Sequence, residues 1–474
     1  MENKSTSTGV LNNGIQEFAD KKRGGFTGKI GFVLAAAGSA VGLGNLWRFP
    51  YLAAQYGGGI FVLSYILLAA FFGLTLLMLE IAIGRHTGKS VIGAFANLNK
   101  KFKWFGYLCV IVPIIIVPYY CVIGGWVVKY VASYLLGSEG LVSGVKDTKS
   151  FFFNFIADPW QPLIFFLIFT LITIIIVAFG VQKGIEKMSK ILMPALAFIA
   201  VVLMVYVMCQ PNALKGVEYF LVPDFSKFSF KTVLGALGQL FYSLSIGMCI
   251  MITYGSYMKK SVKITSSSVQ IAIFDSLFAI LAGLIIIPAV FAFSVTPEAV
   301  LKDNGAFLMF VQLANIFNAI PVIGEIIGLI FFILVLFAAI TSSVSLVESI
   351  VAVLCEDGKM KRVTACIIVF GAILVLGTLS SLGYGVLSDI NIIYNGETLG
   401  ILEIFDFIAN NILMPIVAIV TCVIAGWFIE KNIIPKEIGI DKNKGLTTYF
   451  NVIVKFVAPI CILLILVSGL LIKI

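Results

Sequence analysis

The chain has 474 residues, 60% of them hydrophobic and only 12% charged, with a mean hydropathy of +1.06. A soluble fold of that composition would present a largely apolar surface to water, so the sequence reads as a polytopic membrane protein. The net charge of +9 is then a matter of membrane topology, and no nucleic-acid partner is expected.

The N-terminal segment is polar and lacks the apolar stretch of a signal peptide. Apolar runs long enough to cross a hydrocarbon core of about 30 Å lie near residues 30–54, 59–84, 104–136, 161–179, 186–209, 231–257, 264–294, 324–355, 361–382, 400–428 and 448–472. Eleven helical spans are thus expected. Most of the 33 Lys and Arg fall on the N-terminal side of the membrane, in clusters such as Lys21-Lys22-Arg23, Lys100-Lys101 and Lys259-Lys260. The positive-inside bias puts the N-terminus in the cytoplasm and, with eleven spans, the C-terminus outside. The expected organisation is a cytoplasmic segment over 1–28, a membrane core over 29–428, and a cytoplasmic loop with a last helix over 429–474.

The first span carries Gly38, Ser39, Gly42, Gly44, Asn45 and Arg48 where a simple anchor would carry Leu and Val. Glycines that close together weaken a helix by roughly 1 kcal/mol each, and they also suit close helix packing. An amide and a guanidinium in the same stretch tip the reading towards a break that lines a site, because Arg near a span centre costs roughly 2.5–3.5 kcal/mol unless used. The second span holds Glu80, a residue placed to snorkel or to cap. The third has Pro113 and Pro118, then Tyr119 and Tyr120.

The sixth span repeats the anomaly of the first, with Gln239, Ser243, Ser245 and Gly247 interrupting an apolar helix at similar depth. First and sixth open two halves of five spans each. Interrupted helices at corresponding positions point to an inverted-repeat transporter with its site at the midplane. In the seventh span Asp275 stands in apolar sequence with no basic neighbour, and a buried carboxylate needs a cation. The eighth span ends in Thr341, Ser342 and Ser343, hydroxyls that in membrane helices often bond back to their own backbone. The tenth begins with Glu403 and Asp406, and Asp406 is a partner for Arg48. The eight Cys show no metal or disulfide spacing. The one His, His86, lies in a basic loop. No HExxH or GxSxG pattern is present, and no enzyme is expected.

AAAGSAVGLGNLWRFP (35–50), GQLFYSLSIG (238–247) and AAITSSVS (338–345) together resemble the neurotransmitter:sodium symporter family, in particular its bacterial amino-acid transporters with the LeuT-type fold. The resemblance extends over essentially the whole chain. It implies an all-α polytopic membrane protein with a 5+5 inverted repeat, broken helices 1 and 6, and eleven transmembrane helices. It also implies two sodium ions. The first would be held by Ala40, Asn45, Ser243 and Asp275 with the substrate carboxylate, the second by Gly38, Val41, Ala338, Thr341 and Ser342. An all-oxygen cage suits such a hard cation.

The substrate implied is an amino acid bound by Ala40, Gly42, Ile116, Tyr120, Tyr242, Ser243, Ser245, Met248, Ser342 and Leu346. That pocket has no charged side chain for a substrate cation. Met248 stands where the family commonly has an aromatic ring, and a thioether adapts to large shapes, so a neutral hydrophobic, aromatic amino acid is expected. Another small zwitterion or amine is the alternative, and a ligand-binding membrane sensor a more distant one. The gates implied are Arg48 with Asp406 outside, and Arg23 with Glu356 or Asp357 inside. Phe26 replaces a usual Trp near the inner gate.

Animal members place a chloride against Tyr, Gln, Ser and Ser. Here Tyr65, Gln239 and Ser243 match, and Ala279 does not. Asp275 is expected to replace the anion, giving transport without chloride. The remaining expectations are a plasma (inner) membrane location, a lipid bilayer as environment, and a monomer or homodimer.

Overall fold

The computed structural model describes residues 24–137, 141, 147–301, 305–320, 323–394 and 397–471. In chain order the helices are α1 (Lys29–Ala40) and α2 (Gly44–Gln55), α3 (Gly59–Thr87), α4 (Lys100–Leu136), α5 (Gln161–Ala178), α6 (Val181–Met208), α7 (Phe230–Ser243) and α8 (Ile250–Ser256), α9 (Ile264–Phe293), α10 (Gly324–Glu356), α11 (Arg362–Leu382), α12 (Ile401–Phe428) and α13 (Lys444–Leu470). Among the described residues nine of these are long and apolar enough to cross a membrane, and α1 with α2, bent by 52°, make a tenth. Over the expected sixth span lie the short helices α7 and α8 with an irregular stretch between them, and they are not among these ten. The only strands described are β1 (Ile392–Tyr394) and β2 (Glu397–Leu399), an antiparallel pair with Ile393 opposite Thr398.

Burial sorts the helices into layers. In α4, 78% of the apolar window is buried inside the protein, against 22% in α13 and 28% in α6. The outer helices therefore turn large apolar side chains outward, such as Ile175, Phe198, Ile367 and Ile460. A hydrocarbon solvent accepts that surface. The inner helices carry the small and polar residues, and the broken pairs lie among them: α1 packs on α6, α9 and α10, and α8 on α3 and α10. Helix α4 runs unbroken through Pro113 and Pro118, since neighbouring helices and local adjustments re-satisfy the carbonyls that a proline frees.

Candidate functional site

Each broken pair loses its helical path for a local reason. At the end of α1, Val41 turns to an extended conformation (ψ 93°), and Gly42 then passes close to α4 and α10. A Cβ on Gly42 would stand 2.6 Å from Oγ of Ser342 and 3.3 Å from the hydroxyl of Tyr120, so only a bare backbone fits. Between α7 and α8 three residues take left-handed backbone: Ser245 (φ 55°), Gly247 (φ 78°) and Cys249 (φ 66°). Such a conformation is costly for Ser and Cys. One compensating contact comes from Glu80, whose Oε1 accepts the N–H of Gly247 at 2.8 Å. Glu80 is fully buried beneath the break and neither snorkels nor caps a helix end. A carboxyl inside an apolar span was the available signal, but its partner was not legible.

The two breaks meet at a cavity of about 350 Å³, its open mouth included, between α1, α2, α4, α7, α8 and α10. Ala40, Gly42, Ile116, Tyr120, Tyr242, Ser245, Met248, Ser342 and Leu346 line it. Ser39, Leu43, Gly44, Asn45 and Ile250 join them. Of the expected substrate residues only Ser243 is turned elsewhere. No charged side chain faces the space. At one end the hydroxyl of Tyr120 approaches the N–H of Leu43 at 3.5 Å, and the backbone of 42–44 presents N–H groups at the N-terminal end of α2. Such an end favours a carboxylate. Ser39 and Ser245 bring their hydroxyls within 3.4 Å of each other.

Beside the cavity lie two oxygen-rich clusters. The first is charged. Asp275, fully buried in α9, receives the hydroxyl of Ser243 at 2.5 Å and the amide of Asn45 at 2.8 Å on Oδ1, and the hydroxyl of Tyr65 at 2.7 Å on Oδ2. The amide oxygen of Asn45 accepts from Ser243 at 3.3 Å and from the N–H of Gly42 at 3.4 Å. Gln239 donates to the carbonyl of Gly44 at 3.2 Å. Ala279, one turn along α9, is buried and offers no oxygen.

The second cluster is neutral. Ser342 Oγ lies 3.4, 3.1 and 3.4 Å from the carbonyls of Gly38, Ser39 and Val41, where α1 ends. Thr341 Oγ1 donates back to Phe337 and Ala338 at 3.1 and 3.0 Å. Hydroxyls bonding back to their own helix and carbonyls at a helix end thus share one space.

Towards the outer side, Arg48 and Asp406 form no direct ion pair. The guanidinium of Arg48 lies over the ring of Tyr242, 5.3 Å from its centroid, a cation–π contact, while Asp406 accepts the amide of Asn410 at 2.6 Å. On the opposite side Arg23 lies outside the described residues. Glu356 accepts the N–H of Ser90 at 2.6 Å and stands 3.4 Å from the ammonium of Lys89. Phe26 is buried, edge-on to Phe32, Tyr254 and Tyr257.

That side also holds two groups not singled out from sequence. Glu348, fully buried in α10, is paired with Arg362 and accepts the hydroxyl of Tyr257 at 2.8 Å. Glu186 of α6 receives both the N–H and the hydroxyl of Thr27 and pairs with Lys190 at 2.7 Å. Both acids sit at span ends, where sequence reading takes a carboxylate for a solvated one.

Helices broken in pairs around a midplane cavity, flanked by oxygen clusters that suit small cations, define a polytopic membrane carrier. The chain belongs to the sodium:neurotransmitter symporter family, whose profile matches residues 23–138 and 156–473. Members are sodium-coupled transporters and not enzymes. An uncharacterized sodium-dependent transporter of Bacillus subtilis is 34% identical over 450 residues, covering 93% of this chain and 96% of its own. The sodium- and chloride-dependent creatine transporter 1 of Bos taurus is 27% identical over 360 residues, 66% of this chain and 56% of that protein. Among solved structures, MhsT in complex with L-phenylalanine matches with a TM-score of 0.84 and 36% identity, covering 94% of this chain and all of that one. The fold is accordingly of the LeuT type, and sodium is the coupling ion.

Proposed function

We propose that this protein imports a neutral, aromatic L-amino acid together with two sodium ions and without chloride, with its N-terminus in the cytoplasm. The observation that carries the reading is the cavity: apolar side chains at one end, helix-end N–H groups and Tyr120 at the other, and no charged side chain in its lining. An α-carboxylate fits the polar end, and an ammonium fits carbonyls at Ala40, Tyr242, Ser243 and Ser245. Ile116, Met248, Ile250 and Leu346 leave an apolar space for a ring. The likeness to a transporter solved with L-phenylalanine supports the same substrate class.

One sodium would sit at Ala40, Asn45, Ser243 and Asp275, and the other at Gly38, Val41, Ala338, Thr341 and Ser342. The carboxylate of Asp275 supplies one fixed negative charge at the first site, which supports chloride independence. Its oxygens already take the hydroxyls of Tyr65 and Ser243. Coupling follows if sodium and substrate together hold both breaks in one arrangement, so that the half-loaded carrier isomerises slowly. Each sodium entering down a tenfold gradient and 100 mV releases about 3.7 kcal/mol. Two release about 7 kcal/mol, enough for a substrate ratio near 10⁵.

The test is uptake of a panel of radiolabelled amino acids into proteoliposomes, with choline replacing sodium and gluconate replacing chloride. Sodium-dependent accumulation of phenylalanine, tyrosine or tryptophan, indifferent to chloride, is the expected result. Accumulation of a small zwitterion or amine instead would overturn the substrate assignment and keep the carrier.

A further inference from the structure

Two wide, π-helical turns face each other where α12 ends and α13 begins: Ile424–Phe428 on α12 and Ile453–Val457 on α13. Between them, bordered by Leu79 of α3 and by the connection after α12, lies a narrow cleft that opens to solvent. Its polar lining is Lys455, Lys431, Asn451 and Glu430.

Lys455 is the anomaly. It stands eleven residues into α13, roughly 16 Å along the axis, in a segment of hydropathy 2.6. Among the described residues no carboxylate pairs with its ammonium, whose contact is the face of Trp427 at 5.5 Å from the ring centroid. The indole is exposed at the end of α12, beside the exposed rings of Phe428 and Phe456. An indole at a span end marks the headgroup level. The ammonium of Lys455 therefore reaches that level, where Lys431 lines the same space, and two cations at the headgroup level attract an anion. The connection adds Lys436 and Lys442 with Asp441 between them, α13 opens on Lys444, and Glu437 is already taken by Arg85 and Lys260.

We propose that the mouth of this cleft binds the headgroup of an anionic, glycerol-bearing phospholipid. The phosphate lies between the ammonium groups of Lys455 and Lys431, and the headgroup hydroxyls donate to Glu430 and Asn451. The acyl chains follow the exposed stripe of Phe456, Ile460 and Leu463 on α13. Basic pockets between spans on the cytoplasmic side are where such headgroups dock; only the naming of the leaflet rests on the orientation proposed above.

The experiment is native mass spectrometry of the full chain titrated with phosphatidylglycerol, with phosphatidylcholine and inorganic phosphate as controls. Wild type should retain one phosphatidylglycerol more tightly than phosphatidylcholine, and millimolar phosphate should not displace it. Lys431→Gln or Lys455→Met should weaken retention about fivefold, and the two together roughly thirtyfold. Lys455→Arg should retain the lipid, and Lys215→Met on the opposite side should change nothing. Unchanged retention in Lys431→Gln, equal retention of phosphatidylcholine, or displacement by phosphate would each overturn the proposal. Lys431 lies outside the spans, so its variant serves even if Lys455→Met does not fold. Retention is read whether or not the protein transports, which keeps this outcome separate from that of the uptake assay.

Discussion

The two oxygen clusters beside the cavity solve one problem in opposite ways. Around Asp275 a full charge is buried and held by three side-chain donors from α2, α3 and α7. Around Ser342 nothing is charged, and the oxygens are those of a hydroxyl and of carbonyls exposed where α1 stops. A buried charge needs its partners in place at all times. Carbonyls at a helix end are unpaired wherever the helix stops, so the neutral cluster exists only while α1 and α10 lie together. The first joins four helices through one carboxylate, and the second joins α1 and α10 alone.

The largest effect should come from removing the charge. Asp275→Ala leaves the donors of Asn45, Ser243 and Tyr65 without their acceptor in an apolar interior. Bonds to a charged group contribute about 1.5–3 kcal/mol each, so sodium-driven uptake should fall at least 100-fold. Asp275→Asn keeps the shape and removes the charge, and its uptake should return when chloride is supplied. Activity of that variant in gluconate medium, equal to that in chloride, would show that the carboxylate does not replace an anion.

Thr341→Val and Ser342→Ala should act more mildly. Each removes one neutral oxygen and leaves the carbonyls of α1, so apparent sodium affinity should weaken about tenfold while substrate selectivity stays as it was. A loss as deep as that of Asp275→Ala would erase the distinction between the clusters.

The difference between the clusters also explains what the sequence could reveal. Asp275 is visible because a carboxylate in apolar sequence is an anomaly, and so are Asn45 and the glycines of the first span. Thr341 and Ser342 are ordinary in composition, and only the motif around them singles them out. The spans themselves were legible because hydropathy is local. Pairings between distant spans are not: Glu80 meets Gly247, and Arg362 meets Glu348, through contacts that no periodicity encodes. Arg48 and Asp406 were paired by charge, yet the guanidinium lies on the ring of Tyr242. A stack on an aromatic face competes with an ion pair and leaves no mark in a charge pattern.

A third charged group serves as a control on whether burial of charge or its position matters. Glu437, between α12 and α13, is reached by Arg85 at 2.6 Å and by Lys260 at 2.9 Å. Partial burial raises its carboxyl, but His86, Lys260 and Arg85 outweigh that and hold it down to about 2. The stabilisation is complete above the ordinary carboxylate range and is lost as pH falls from about 4.5 towards 2. Glu437→Gln should therefore lower thermal stability by about 2 kcal/mol at pH 7, allowing for solvent screening, and leave apparent sodium affinity unchanged. Coupled loss of both would mean that the charge near Asp275 is not special by place.

The smallest effect expected concerns the cavity that both clusters serve. Met248 lines its apolar end opposite Ile116 and Leu346, and a thioether yields to a large side chain where a ring does not. Met248→Phe stiffens that end and takes up space, with both oxygen clusters untouched. The ratio of phenylalanine to leucine uptake should fall roughly three- to tenfold, in line with about 1 kcal/mol for a modest change of fit, and sodium dependence should stay as in wild type. An unchanged ratio would mean that the substrate side chain lies away from Met248. A changed sodium affinity would mean that the cavity wall and the two oxygen clusters are one mechanical unit that includes α8.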